Sequence, residues 1–182
     1  MGKIILPKIY VEKLEWPLIF LEGPIRGAPE WQDAAIEIIF SLLNEIYVAN
    51  PQRSVKESLQ PFLAQGRTDF FPRQRAWERH YIEKASLDKN QKGVVMMWLP
   101  KEIEHSCQKS YGAMTRVEFG EIITHIKYNP STRFCIGTDG DFSEVDTMLY
   151  DLSLDAPNLK IFKSLRELCI EAVRIATSSS SD

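Results

Sequence analysis

One continuous apolar run constrains the fold of this chain most strongly. Residues 94–99 read Val-Val-Met-Met-Trp-Leu, with Gly93 before them and Pro100 after them. A strand that lacks alternating polar residues is buried on both faces, which is typical of a central strand in a parallel sheet. The run therefore predicts a parallel sheet with helices packed on both of its faces.

Strand and helix patterns alternate along the rest of the chain. Short apolar runs predict four more strands, at residues 17–21, 46–49, 133–137 and 159–162, and helical periodicity predicts helices at residues 29–47, 73–85, 115–128, 144–149 and 165–176. This order predicts one flavodoxin-like, doubly wound α/β domain of about five parallel strands over residues 17–177. Residues 1–16 are predicted to add an N-terminal strand or arm, residues 52–72 a long loop, and residues 178–182 a disordered serine-rich tail.

Periodicity also predicts which sides of two helices face the core. In the helix at residues 29–47 the predicted core face consists of Trp31, Ala34, Ala35, Ile38, Ile39, Leu42 and Leu43. In the helix at residues 115–128 it consists of Val117, Ile122, Ile123 and Ile126.

Composition excludes several classes of protein. Hydrophobic residues make up 44% and charged residues 26% of the chain, as in ordinary soluble domains. A net charge of −3 argues against a nucleic-acid polymer as partner. No apolar run is long enough to cross a membrane, so no membrane partner is expected. Pro7 and Lys8 interrupt the apolar start, which favours a strand over a signal peptide.

The cysteines and histidines form no recognisable metal pattern. Cys107, Cys135 and Cys169 are widely spaced and are expected to be reduced thiols in a cytoplasmic protein. Asp139 and Asp141 match only a fragment of a calcium loop, so a turn is favoured there. We therefore expect no metal and no cofactor, and Asp139 remains a weak site candidate because it follows a strand.

Glu118 is the first candidate for a functional carboxylate. It is placed in the first turn of a helix, beyond the carboxyl edge of the strand at residues 94–99, where open α/β sheets bind ligands. Two interpretations stay open. Thr115-x-x-Glu118 is a capping box that needs no catalysis, whereas a free carboxylate at this edge can act as a nucleophile.

An ordered set of motifs then resembles a known family. The motifs are Phe20-Leu21-Glu22-Gly23-Pro24-Ile25 with Trp31-Gln32 after it, Asn50-Pro51-Gln52-Arg53, Gln74-x-x-Trp77-Glu78, Trp98-Leu99-Pro100 and Thr115-Arg116-Val117-Glu118-Phe119-Gly120. Together they resemble the nucleoside 2-deoxyribosyltransferase-like family from residue 17 to the last helix. The resemblance implies a flavodoxin-like fold that cleaves N-glycosidic bonds of nucleosides or nucleotides, and a homo-oligomer with sites near subunit contacts.

The resemblance also implies roles for individual residues. Glu118 matches the family nucleophile, Glu78 the acid that contacts sugar hydroxyls, and Gly23, Pro24 and Ile25 the first loop that holds the nucleoside. Each position also has an ordinary structural explanation. Glu78 could be a glutamate favoured in the first turn of a helix, and Gly23-Pro24 could form a tight turn.

Position near Glu118 adds three substrate-binding candidates. Arg116 is a candidate anion contact, with a surface ion pair as its alternative. Tyr111 and Ser110 could orient the sugar or the nucleophile. The alternative for both residues is ordinary hydrogen bonding within the loop. Arg26, in the first loop, could meet a 5′-phosphate, although a solvated arginine is favoured.

Two positions depart from the family pattern. Glu22 stands where a small residue usually precedes the loop glycine, and Gly112 stands six residues before Glu118, where transferases carry an aspartate that handles the base. Transfer between bases is therefore in doubt.

The expected function is cleavage or transfer at the N-glycosidic bond of a 2-deoxyribonucleoside or its monophosphate. The alternatives are a strict nucleotide N-glycosidase and a nucleotide-binding sensor without turnover. The arm at residues 3–16 is the expected contact of at least a dimer.

Overall fold

The computed structural model describes residues 2–52, 70–108 and 110–178. Its strands are β1 (Lys3–Ile5), β2 (Leu18–Glu22), β3 (Tyr47–Ala49), β4 (Gly93–Leu99), β5 (Phe134–Thr138) and β6 (Ile161–Phe162). Its helices, within those residues, are α1 (Trp31–Leu42), α2 (Phe70–Ser86), α3 (Ala113–Tyr128), α4 (Val145–Asp155) and α5 (Leu165–Thr177). Residues 53–69, which carry most of the predicted long loop, and residues 179–182 of the predicted tail lie outside the described residues.

The six strands form one parallel sheet in the order β1-β3-β2-β4-β5-β6. From β2 onward this is the flavodoxin-like order, with β1 added beside β3 at the edge. The predicted flavodoxin-like α/β fold with an extra N-terminal strand is confirmed. The fully apolar run predicted as a central strand is β4, buried over its whole length between β2 and β5.

Two apolar cores lie on opposite faces of this sheet. Helices α1 and α5 pack on one face, and α2, α3 and α4 pack on the other. Within β2, Ile19 and Leu21 belong to the α1 face, whereas Leu18 and Phe20 belong to the α2 face. Because side chains alternate along a strand, the next residue on the α2 face is Glu22, paired in register with Met97 of β4.

The strand order reverses between β2 and β4, and this reversal opens a crevice. The chain leaves β2 toward α1 on one face and leaves β4 toward α3 on the other face. Open α/β sheets bind ligands at such a switch point, outside the carboxyl ends of the strands.

The N-terminal arm packs against the domain over much of its length. β1 spans only Lys3–Ile5, a small part of the strand or arm predicted over residues 1–16. Beyond β1, the Ile9 carbonyl accepts a 2.8 Å hydrogen bond from Nε1 of Trp77, and the Val11 amide donates to the Tyr81 hydroxyl at 2.9 Å. These bonds fix the arm to buried side chains of α2.

Several predicted helix boundaries and faces are wrong. Helix α1 ends at Leu42, and it buries Ile36 while Ala34 and Leu42 are exposed. Helix α3 begins at Ala113, two residues earlier than predicted, and its Val117 is 57% exposed rather than part of the core. In the described part of the chain no helix has the length and apolarity needed to cross a membrane.

Candidate functional site

A cleft of about 710 Å³ lies at the switch point. Its walls come from the loop after β2, the start of α2, the loop after β4 and the first turns of α3. Eight of the ten candidate residues line it, namely Glu118, Glu78, Gly23, Pro24, Ile25, Arg26, Tyr111 and Ser110. Pro51 lines it as well, whereas Arg53 of the same motif lies outside the described residues.

The loop after β2 is held rigidly against the sheet. Gly23 has a φ of +148°, and a Cβ at this position would lie 2.3 Å from the Trp98 carbonyl oxygen. The Pro24 carbonyl accepts hydrogen bonds from Nε1 of Trp31 at 2.8 Å and from Nε2 of Gln32 at 3.4 Å. These contacts explain the glycine and the Trp-Gln pair of the motif, and they fix Pro24 and Ile25 in the wall of the cleft.

Glu118 lies in the second turn of α3, and the capping-box interpretation is wrong. The N-cap residue is Gly112, and no side chain caps the helix. Since Thr115 is itself a helical residue, Glu118 cannot complete a box with it. Glu118 is only 7% exposed, and it lines the cleft from the α3 side.

Arg75 of α2 joins several carboxylates. Its Nη1 atom lies 2.5 Å from Oε1 of Glu118 and 3.4 Å from Oε2 of Glu78, and its Nη2 atom lies 2.8 Å from Oε2 of Glu121. A half-buried guanidinium in this geometry supplies the positive charge that offsets the acids around it. The ion pair also fixes the direction of the Glu118 side chain.

Glu78 lies one turn along α2 from Gln74 and faces the cleft. Its Oε1 atom accepts a 2.8 Å hydrogen bond from Nε2 of Gln74. Burial raises the pKa of Glu78 above its ordinary value, and the charge of Glu118 adds to this, while Gln74 and Arg75 oppose it. The side chain remains 14% exposed.

Glu22 also lies in the cleft, although its sequence position indicated only a departure from the family pattern, which usually has a small residue there. It ends β2, is 2% exposed and lines the same cleft. Its Oε2 atom has no hydrogen-bond partner among the described residues. Burial raises the pKa of Glu22 well above its ordinary value, the neighbouring Glu118 and Glu78 raise it further, and Arg75 lowers it.

Tyr111 and Ser110 occupy the loop that leads into α3. The Tyr111 hydroxyl donates to the Pro100 carbonyl at 2.8 Å, so it braces the loop after β4. Burial, with the charges of Asp139 and Glu102, raises the pKa of Tyr111. Ser110 is exposed where it lines the cleft. The hydroxyl of Tyr111 thus forms a hydrogen bond to the backbone, which agrees with the interpretation of ordinary loop hydrogen bonding.

Arg116 and Asp139 are the two candidate residues that do not line the cleft. Arg116 donates to the carbonyls of Tyr111 and Ser143, and its guanidinium lies 4.7 Å from the centre of the Phe142 ring. Arg116 therefore ties the start of α3 to the loop after β5. Asp139 lies in the same region, where its carboxylate accepts a 2.9 Å hydrogen bond from the Lys101 amide.

Gly112 leaves no room for an acid at the position where transferases carry one. Its φ is +63°, and a Cβ there would lie 2.6 Å from Cζ of Phe142 and 3.3 Å from Nη1 of Arg116. A longer side chain would displace the Phe142 ring. The acid missing from the sequence at this position is therefore also sterically excluded by the fold.

The sequence analysis did not predict Glu22 or Arg75 as site residues. Each has a sequence feature that indicates its position, but the feature is weak. Glu22 shares strand parity with Leu18 and Phe20, which places it on the α2 face once β2 is known to be central. Arg75 stands three residues before Glu78, and this spacing places both on one side of a helix.

In the described ranges, no group of His, Cys, Asp or Glu side chains is arranged to hold a metal ion. Cys135 and Cys169 are buried, and burial raises the pKa of both thiols, to about 12 for Cys169. Neither lies in the cleft.

No protein-family model matches this chain, and no curated protein matches it.

Proposed function

We propose that this protein cleaves the N-glycosidic bond of a 2-deoxyribonucleoside or its monophosphate and passes the sugar to water or to a second base. One observation carries the proposal. Glu118, Glu78 and the Gly23 loop, which come from three separated segments, line one cleft at the switch point of the sheet.

In the proposed reaction Glu118 is the nucleophile. Cleavage of an N-glycosidic bond develops positive charge at the anomeric carbon, and a carboxylate beside that carbon stabilises the charge and traps it as an ester. We assign the attack to Oε2, because Oε1 accepts the hydrogen bond from Arg75. Arg75 then acts as a positioning residue that sets the direction of attack.

Glu78 is proposed to bind the sugar hydroxyls. Its carboxyl group is oriented by Gln74 and faces the cleft, so it can accept hydrogen bonds from a bound sugar. Pro24 and Ile25 would contact the base from the opposite wall, with Ser110 at the mouth. No metal or cofactor takes part in this scheme.

The proposal extends to the assembly and its location. We propose at least a homodimer, since the N-terminal arm carries the exposed apolar side chains of Ile4, Leu6, Ile9 and Tyr10. The free thiols of Cys107, Cys135 and Cys169 favour the reducing cytoplasm as its location.

Chromatography of the free base tests the activity. We expect the wild type to release base from a 2-deoxyribonucleoside, and Glu118→Gln to reduce kcat by at least about 10³-fold. Glu121→Gln is the matched control, because Glu121 also pairs with Arg75 but does not line the cleft. A second free base in the reaction separates transfer, which yields a new nucleoside, from hydrolysis, which yields only sugar.

A binding protein without turnover is the second candidate. The observation that favours it is the ion pair between Glu118 and Arg75, which engages the carboxylate that the reaction would need free. Calorimetry would then show equal nucleoside binding by the wild type and by Glu118→Gln, and neither protein would release base.

A further inference from the structure

We propose that Glu22 is the general acid that protonates the departing base. This inference deepens the function proposed above and rests on it. It supplies the half of the reaction for which the sequence offered no residue.

The geometry of β2 places Glu22 at the reaction centre. It is the last residue of a central strand, and its side chain points to the face covered by α2 and α3. It lines the cleft together with Glu118 and Glu78 while being 2% exposed. Oε2 of Glu22 is buried and accepts no hydrogen bond from the described residues, so it is open to a ligand partner, and the Glu22 carboxyl group also lies within hydrogen-bonding range of Glu118.

The chemistry requires a proton donor in this cleft. A purine or pyrimidine is a poor leaving group as an anion, and protonation of a ring nitrogen lets it depart neutral. Gly112 cannot carry the donor, since glycine has no side chain, and Phe142 lies where the side chain of a larger residue would begin. Among the described cleft residues, Glu22 combines the deepest burial of a carboxyl group with an unpartnered oxygen.

The burial of Glu22 and the charges around it favour the protonated form of its carboxyl group. Glu22 faces Glu118 from α3 and Glu78 and Arg75 from α2. Burial and the two acids raise the pKa of Glu22, and the opposing effect of Arg75 is the smallest of these influences. Arg75 instead pairs directly with Glu118, so the guanidinium lies against one acid of the pair and the other acid is left without a cation.

The reaction balances with these two groups. Oε2 of Glu118 forms a bond to the anomeric carbon, and the electrons of the carbon–nitrogen bond move to the base. The Glu22 carboxyl gives its proton to a ring nitrogen, so the base leaves neutral and Glu22 becomes a carboxylate. In the second step Glu22 takes a proton from water or from the incoming base as that nucleophile displaces Glu118 from the sugar.

Leaving-group dependence tests this role. The substrates are two matched pairs: 2′-deoxyguanosine with its 7-methyl cation, and 2′-deoxyuridine with its 5-nitro derivative. The second member of each pair departs without a proton. We expect Glu22→Gln to slow the first member by at least about 100-fold, as for the loss of a general acid. It should slow the activated member by less than about threefold. Glu78→Gln, the control, should slow both members alike.

The pH profile of the wild type provides a measurement that needs no variant. For an ordinary substrate kcat/KM should fall at high pH as Glu22 loses its proton, and for its activated partner this limb should be absent. The assignment is overturned if Glu22→Gln slows the reaction of both members of a pair equally, or slows neither. It is also overturned if kcat/KM falls at high pH in the same way for both substrates. A wild type that releases no base from any of the four substrates overturns the proposed function, and the role of Glu22 with it.

Discussion

At the scale of single residues, three of the five acids that line the cleft lie in unequal surroundings. Glu118 is paired with Arg75, Glu78 accepts a hydrogen bond from Gln74, and Oε2 of Glu22 has no partner among the described residues. Environments of this kind separate the protonation states of neighbouring carboxyl groups. In the proposed reaction Glu118 attacks the sugar while Glu22 donates a proton.

The raised pKa of Glu22 has a consequence for stability. Below the ordinary pKa of a glutamate, about 4.3, both the folded and the unfolded chain hold the proton. As the pH rises from there toward the raised pKa of the folded state, only the folded chain keeps it, so the free energy of unfolding falls by about 1.4 kcal/mol per pH unit. Glu78 contributes in the same direction, because burial raises its pKa too.

Urea denaturation across a pH series measures this effect. We expect Glu22→Gln, which is neutral at every pH, to gain stability relative to the wild type as the pH rises above about 4.3. Its own pH dependence should be shallower. A difference between the two proteins that stays constant from pH 4 to pH 8 would show that Glu22 titrates normally.

At this scale the sequence predicted some of the side chains that line the cleft, but not all of them. Glu118, Glu78 and Gly23, which the family resemblance singled out, line one cleft, and their chemical roles stay predictions. The burial of Glu22 was not predicted, because it depends on α2 and α3 closing over the end of β2. No local pattern records that closure.

At the scale of elements, the start of α3 shows how backbone geometry positions the site. Gly112 adopts a left-handed conformation against the Phe142 ring, and the helix begins immediately after it. The phase of α3 then places Glu118 and Phe119 inward and Val117 outward. Apolar residues occur on several sides of this helix, so periodicity alone could not fix its phase.

Two glycines of this region should respond oppositely to alanine. Gly112→Ala should lower the free energy of unfolding by about 1–3 kcal/mol, because alanine is strained at a φ of +63° and meets Phe142. Gly120→Ala, inside α3 with no atom within 4 Å of the added Cβ, should raise it by about 0.5–1 kcal/mol. Thermal or urea denaturation compares them, and equal effects of the two substitutions would contradict this description of α3.

The turn between α2 and β4, at residues 87–92, depends on a contact that the sequence does not reveal. The Arg133 guanidinium donates to the carbonyls of Ala85, Asp88, Gln91 and Gly93. A residue next to β5 therefore organises a turn more than forty positions away in sequence. Such a long-range contact is not readable from the polar composition of the turn itself.

At the scale of the whole molecule, the architecture was the most predictable property. Alternating strands and helices determine a parallel sheet, and right-handed crossovers leave few possible strand orders. The position of β1 beside β3 was not predicted, because three residues carry too little pattern to choose a partner strand.

The assembly is a prediction at the same scale. We expect a mass of at least twice the 20.9 kDa of one chain, since the exposed apolar side chains of the arm favour association. Size-exclusion chromatography with light scattering measures this mass directly. A single-chain mass at micromolar concentration would contradict a homo-oligomer.

The central claim is that Glu118 forms a covalent bond to the sugar. Mass spectrometry after incubation with a 2-fluoro-2-deoxy nucleoside tests it most directly, because fluorine slows breakdown of the ester more than it prevents binding. The account predicts a mass increase equal to one fluorinated sugar, located on the peptide that contains Glu118 and absent from Glu118→Gln. An unmodified protein that binds the nucleoside, or an adduct located on Glu22 or Glu78, would contradict it.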